Sequence, residues 1–548
     1  MKFKTQERRK HRTQNSKIQE HRKHKNCTEF TEEFNEIFLV FFCVFCVISV
    51  LSAFLSCCIP VFTSPNQPMK NFQAFIQDIQ GIPHTRDAHT LAVKSKDYYW
   101  YSPILKAELD DKMGDIMVSP RTEAEVIQVA AACAKHRLKI TIRGGGTGNY
   151  GQCVPLEGGV ILDVTQLNRI VKIEPGSVVC EAGMLIADLE RAVRADPCVA
   201  GGQEILMYPS TRDIATIGGF IAGGYAGAGS VRNGILKDAG NVTMIRVVTL
   251  EEKPRIIELK DADIQKVHHA YGTNGIITQL RLTLKPAVDW VHHIALFDSY
   301  SDALRFGVEA TEKITVRTEP VEVPAPNSPS LDPSAVDAFL ITAVERRIAP
   351  YYESEFGTRF PASKDAVFSM VNPQSLAVWR DLMKKHGGHE SMAFTESELK
   401  KEKLSTAFEC AYNHTTLIAL KQDKSWTNLQ TVAPWTPGTG IDIALVEKQM
   451  QRWGDEVLMH HEFGRQFGGC VAFGLPLVSF FDKDRLYEII KEFEQDGCMV
   501  FDNHVYTIED GGMKEIDTNQ IDFKKIADPH GLMNPGKTRG WLASYAKA

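Results

Sequence analysis

Two glycine-dense stretches constrain this chain more than any other feature. The first is Arg143, Gly144, Gly145, Gly146, Thr147, Gly148, Asn149, Tyr150 and Gly151, directly after the apolar run LKITI. The second, ATIGGFIAGGYAGAGSVRNG, runs from Ala215 to Gly234 and follows Pro209, Ser210 and Thr211. A glycine costs roughly 0.5 to 1 kcal/mol relative to alanine inside a regular element. So many of them are expected where backbone turns through positive φ, converges on a phosphate, or lies against a large flat ligand. Gly146, Gly148 and Gly151 also satisfy GxGxxG, yet a Rossmann fold needs a helix straight after that turn. Here QCVPLEGG follows, with Pro155 in it.

Around the glycines the texture is α+β. TEAEVIQVAAACAKH has helical spacing with a Thr cap, and LKITIR reads as a strand. GGVILDV, RIVKIE, SVVCEAG, VTMIRVVTL and GIITQLRLTLKP read as further strands. Beyond residue 288, amphipathic helices such as DRLYEIIKEFEQ alternate with strand-like pieces such as GCVAFGLPLVSFF. This predicts an N-terminal helical segment over 69–110, a glycine-centred domain over 111–287 and a second α+β domain over 288–515. A C-terminal piece over 516–548 closes the chain. A net charge of -6 gives no basic face for nucleic acid.

The first 68 residues are of another kind. A basic stretch rich in Lys, Arg and His reads as a disordered tail, and Ile37 to Phe62 carries no charge. That run exceeds the ~20 residues needed to cross a bilayer and reads as one transmembrane helix, with the basic flank on the cytoplasmic side. The expected location is a single-pass membrane protein, or the cytoplasm if translation starts at Met69. Five of the 12 Cys fall in this region and the other seven are scattered, which is no disulfide framework.

Taken in order, MVSPRTEAEV, RGGGTGNYG, GGVILD, VVCEAG, PST with ATIGG through GSVRNG, and YGTNGIITQLRLTLKP resemble a known family. It is the FAD-binding domain of the vanillyl-alcohol oxidase/p-cresol methylhydroxylase superfamily, with DPHGLMNPGK resembling its final loop. The resemblance implies a p-cresol-methylhydroxylase-type FAD domain followed by an α+β cap. It implies that Arg143, Gly144, Gly145, Gly146, Thr147 and Gly148 wrap the pyrophosphate, with Asn149 and Tyr150 nearer the ring system. Pro209, Ser210, Thr216, Gly218 and Gly219 would line the ribityl path, and Ser230 the adjoining turn. Ile277 would meet the adenine side, and Asn534 and Lys537 would close the pocket. Many members attach FAD through a His in the first loop, and bicovalent ones add a Cys in the second. Neither residue stands there in this chain, so noncovalent FAD is expected, although a cap-domain His could still attach it.

The implied activity is oxidation of a CH–OH compound, an alcohol or hydroxy acid, by hydride transfer to flavin, with oxygen or another acceptor taking the electrons. The partner is a small-molecule substrate. The proton must be handled by a side chain of the second domain. His504, on the polar run FDNHVYTIEDGG before the closing segment, is the first expectation, with Tyr506 beside it. His414 in AYNHTT, and Glu462 and Arg465 in HHEFGR, are the next. Adjacent His460 and His461 point to opposite faces of a strand, so no metal site is expected. A membrane-tethered flavin-binding protein without catalysis and an NAD-binding protein are the rival readings.

Overall fold

The computed structural model describes residues 70–314, 336–513 and 515–546. The proposed membrane segment at 37–62 lies outside them. Among the described residues no helix is long and apolar enough to cross a membrane.

The N-terminal half is built on two sheets. In the first, β1 (His84–Thr85), β2 (Ile116–Val118), β3 (Ile140–Arg143) and β4 (Val160–Asp163) lie in the order β1-β2-β4-β3. β4 is parallel to both β2 and β3. β2 and β3 therefore run the same way on either side of β4, and α1 (Glu123–His136) carries the chain across from one to the other. Thr122 caps α1 by accepting the Glu125 N–H at 3.2 Å, and Val126, Val129, Ala130 and Cys133 form its buried face. The second sheet comprises β5 (Ile170–Glu174), β6 (Ser177–Glu181), β7 (Gln203–Ile205), β8 (Val242–Val248), β9 (Ile256–Lys260) and β10 (Ile276–Pro286). Its order is β5-β6-β10-β8-β9, with β7 also on β10. The helix α2 (Ile217–Gly223) starts inside the second glycine stretch.

The C-terminal half is an antiparallel sheet with helices packed on it. Its strands are β11 (Val291–Phe297), β12 (Ala338–Val344), β13 (Asp365–Val371), β14 (His389–Thr395), β15 (Gln430–Ala433), β16 (His460–Gln466), β17 (Gly469–Gly474) and β18 (Met499–Phe501). They run β14-β11-β13-β12-β16-β17-β15-β18. β11, β12 and β13 are buried along their whole length, which is why they are mostly apolar and do not alternate with exposed polar residues. The helix α3 (Asn413–Gln422) precedes β15 in the chain.

The chain then returns to its first sheet. After α4 (Thr518–Ala527), Ile140 donates its N–H to Leu532 O at 2.9 Å and Asn534 donates its own to Ile140 O at 2.8 Å. The DPHG turn that allows this is organised by Asp528. Its carboxylate, fully buried, accepts Lys524 Nζ at 2.6 Å, Leu532 N–H at 2.9 Å and Met533 N–H at 2.8 Å. Asp528→Ala would leave the buried Lys524 ammonium without its counter-charge and two buried N–H groups without their acceptor, and should destabilise the protein by about 3–5 kcal/mol. A urea midpoint unchanged from wild type would show that the turn stands without its carboxylate.

Candidate active site

The first glycine loop leaves β3 and meets the second at very short range. A methyl group on Gly144 would fall on the Thr216 hydroxyl, the cap of α2, so the two loops touch only because position 144 has no side chain. Gly146 has φ +67°, and a Cβ there would overlap the Arg143 guanidinium. Arg143 itself turns behind the loop, where Nη1 donates to Lys96 O at 2.5 Å and Lys94 O at 3.1 Å.

The return segment braces the loop from the same side. Asn534 Nδ2 donates to Gln152 O at 2.8 Å and Tyr271 O at 2.6 Å, and Lys537 Nζ donates to Gly151 O at 2.5 Å. Asp97 shares this buried region. Burial raises its carboxyl, and burial pushes the Lys537 ammonium down.

In front of the loops lie two connected cavities. The smaller, about 90 Å³, is lined by Gly144, Gly145, Gly146, Thr147 and Gly148 with Thr216, Gly218, Gly219 and Ile277. The larger, about 210 Å³, is lined by Asn149, Tyr150, Pro209 and Ser210 from the glycine half and by residues of the C-terminal half. Thr147, Gly148, Gln152, Gly219 and Gly223 line both. The far wall of the larger cavity is Tyr412, Asn413 and His414 at the start of α3, Gln430 and Thr431 of β15, Phe473 and Gly474 of β17, and Phe501 of β18.

His414 is set up as a proton acceptor. Its Nδ1 donates to Glu409 O at 2.9 Å, which fixes the tautomer and leaves Nε2 with the lone pair. Burial lowers its pKa below the ordinary 6.5, so the ring is neutral near neutrality. Across the cavity His269 is also held down, at about 4, again by burial. Its Nδ1 and the Asn149 Nδ2 are buried without a hydrogen-bond partner, and both residues line the cavity. A buried polar group left unpaired costs about 1–3 kcal/mol, so these two atoms are suited to meeting a polar ligand.

Other residues expected from the sequence sit elsewhere. His504 is 1% exposed and does not line either cavity. Its Nε2 donates to Asn428 O at 3.0 Å and its Nδ1 accepts from Ser102 Oγ at 2.7 Å, so both nitrogens are spent in packing. Tyr506 lies against Leu105 and Leu109, under the Lys537 ammonium at 5.1 Å. Arg465 is consumed by the carbonyls of Val231, Thr311 and Ile314. Glu462 is fully buried inside the C-terminal sheet. Ser230 does not reach the cavity: its Oγ accepts the Gly227 N–H at 3.0 Å and closes the turn. Asn534, Lys537 and Arg143 support the loop rather than line it.

Cavity residues absent from the sequence expectations include His269, Gln430 and Phe473. His269 precedes the YGTNG run and has φ +52°, a conformation costing non-glycine residues on the order of 1–3 kcal/mol. Tyr412 shares that feature, with φ +53°. Gln430 and Phe473 carry no local sequence signal. Among the described residues no group of three His, Cys, Asp or Glu is arranged to hold a metal ion.

A bare-backbone cradle opening into an aromatic chamber fits a flat dinucleotide, and the family comparison agrees, with a profile described as FAD binding domain matching residues 114–257. The chain carries an FAD-binding domain over these residues. Similar proteins include the glycolate oxidase subunit GlcD of Bacillus subtilis, 30% identical over 131 residues, which are 23% of this chain and 26% of that one. A D-lactate dehydrogenase of Anaerostipes hadrus is 27% identical over 187 residues, 32% of this chain and 37% of its own length. The matched region thus spans well under half of these curated relatives. A solved alkyldihydroxyacetonephosphate synthase has the same fold, with a TM-score of 0.64 at 14% identity over 87% of each chain.

The cradle makes a direct prediction for this FAD domain. Gly146→Ala, which forces a Cβ into a positive-φ position and onto Arg143, should purify with FAD well below one equivalent. Stoichiometric flavin in that variant, read from the visible absorbance, would move the cofactor away from the first loop.

Proposed function

We propose that the protein is an FAD-dependent oxidoreductase that oxidises a CH–OH group of an alcohol or hydroxy acid, with His414 as the base. The carrying observation is the Nδ1 bond of His414 to Glu409 O, which leaves a neutral Nε2 lone pair on a residue of the cavity wall. The named activities of the relatives, a glycolate oxidase subunit and a D-lactate dehydrogenase, support the hydroxy-acid class.

In this reading Gly144 to Gly148, Thr216, Gly218, Gly219 and Ile277 hold the dinucleotide portion, and Asn149, Tyr150, Pro209 and Ser210 border the ring. FAD, when bound, supplies the two-electron oxidising centre. The protein's part is to orient the hydroxyl and remove its proton. His414 Nε2 takes that proton, Asn413 and Gln430 offer amide groups to the oxygen, and Phe473 and Phe501 keep water from that side. The FAD-binding division runs over 111–287 and the cap over 288–515. FAD is held without a covalent bond, since the first loop has no His and Tyr208 to Gly234 no Cys. The uncharged run Ile37–Phe62 tethers the protein to a membrane.

Anaerobic addition of glycolate, D-lactate and primary alcohols tests the reaction. At least one should bleach the visible flavin band, whereas flavin that no member of the panel reduces would favour a binding protein. His414→Ala should keep FAD but slow that reduction by about 10²-fold or more, the usual contribution of a positioned base. His504→Ala should lower thermal stability and leave the reduction rate near wild type. A base whose pKa is lowered is unprotonated at neutrality, so the rate should be level at and above neutral pH and fall on acidification. A rate that instead rises on acidification would exclude an imidazole base.

A further inference from the structure

Tyr412 joins the two halves of the site in a conformation that tyrosine does not adopt freely. Its backbone lies at φ +53°, ψ −137°, just ahead of α3. Glycine would take that turn without strain, but glycine could not do what the phenol does, which is to donate to Gly227 O of the second glycine stretch at 2.7 Å. Tyr412 O accepts the Thr415 N–H at 3.2 Å, but its own N–H is met by a side chain from the sheet. The Tyr412 N–H donates to Glu462 Oε1 at 2.6 Å.

Glu462 is built for that task. It lies on β16 directly opposite Thr342 of β12, whose hydroxyl donates to Oε2 at 2.5 Å. His460, two residues away on the same face of the strand, brings Nε2 to Oε1 at 2.7 Å. Glu462, Thr342 and His460 are all fully buried. A buried carboxylate is tolerated only when its lone pairs are filled, and here two side chains and one backbone N–H fill them. The two side-chain donors belong to the sheet core. The third belongs to the residue that starts the cavity wall.

We propose that Glu462 is a positioning residue, whose carboxylate holds the strained Tyr412 turn and thereby sets Asn413 and His414 against the cavity. The inference rests on the reading of His414 as the base. It gives Glu462 a role through Tyr412 and not through contact with substrate. It also ties the catalytic wall to the sheet centre, so that the phenol contact to Gly227 and the imidazole of His414 are placed by one element.

The test uses the full chain with FAD bound and compares Glu462→Ala with Glu462→Gln by amide hydrogen exchange. In Glu462→Ala, exchange over 412–415 should speed up by about tenfold or more while β11 and β13 keep wild-type protection. The carboxamide oxygen of Glu462→Gln still accepts the N–H and should restore most of that protection. Unchanged exchange over 412–415 in Glu462→Ala would overturn the proposal. If that variant does not fold, Thr342→Val, which removes one donor at constant shape, should give an intermediate acceleration confined to the same residues. No acceleration there would equally overturn it.

A second readout separates positioning from general support. The losses in anaerobic flavin reduction by glycolate, D-lactate or a primary alcohol in Glu462→Ala and His414→Ala should not multiply in the double variant, because both remove the same placed base. Full multiplication would overturn the proposal while leaving the base in place. If His414→Ala alone reduces at the wild-type rate, the base assignment fails, and the exchange result still decides whether Glu462 holds the turn.

Discussion

Everything at this site depends on the contact between two stretches of backbone that have no room for side chains between them. Gly144 meets the Thr216 hydroxyl, and that same hydroxyl accepts the Gly219 N–H at 3.3 Å and starts α2. The contact therefore places the cradle and the helix behind it together. It is held from the rear by Asn534 and Lys537, which reach the carbonyls of Gln152, Tyr271 and Gly151. The chain must complete its last turn before the first loop is braced, which makes the end of the sequence a part of the cofactor lobe.

The buried polar groups of the two halves divide sharply by whether their bonding capacity is used. His504, Arg465 and Glu462 are each surrounded by donors or acceptors and have nothing left for a ligand. His414 spends one nitrogen on a carbonyl and keeps the other. His269 and Asn149 have a buried nitrogen with no partner at all. Buried polar atoms are nearly always paired in folded proteins, so the unpaired ones around a cavity mark where a ligand would complete the network.

Much of the cofactor lobe was legible because it is written in local chemistry. Consecutive glycines after a β3-like run signal their own geometry, and residues 144–150, 209, 210, 216, 218, 219 and 277 all line one cavity or the other. The substrate side was not, because its members come from α3, β15, β17 and β18, which only the order of the eight-stranded sheet brings together. His504 looked favourable by its place before the return segment, but position along the chain does not reveal that the Ser102 hydroxyl, some 400 residues earlier, donates to its Nδ1 and holds it in packing. The alternation of His460, His461 and Glu462 was readable as a strand, and His461 indeed turns away to the Tyr300 hydroxyl at 2.8 Å. The left-handed backbone of Tyr412 had no signal, since nothing in AYNHTT asks for it.

A crystal structure of the protein with FAD would show whether the glycine cradle and the chamber walled by α3 and the far strands of the eight-stranded sheet form one flavin and substrate site. The dinucleotide should lie over Gly144 to Gly148, with the ring in the chamber that His414 borders. A flavin bound away from the first glycine loop, or a ring facing His504 with His414 remote from it, would contradict it.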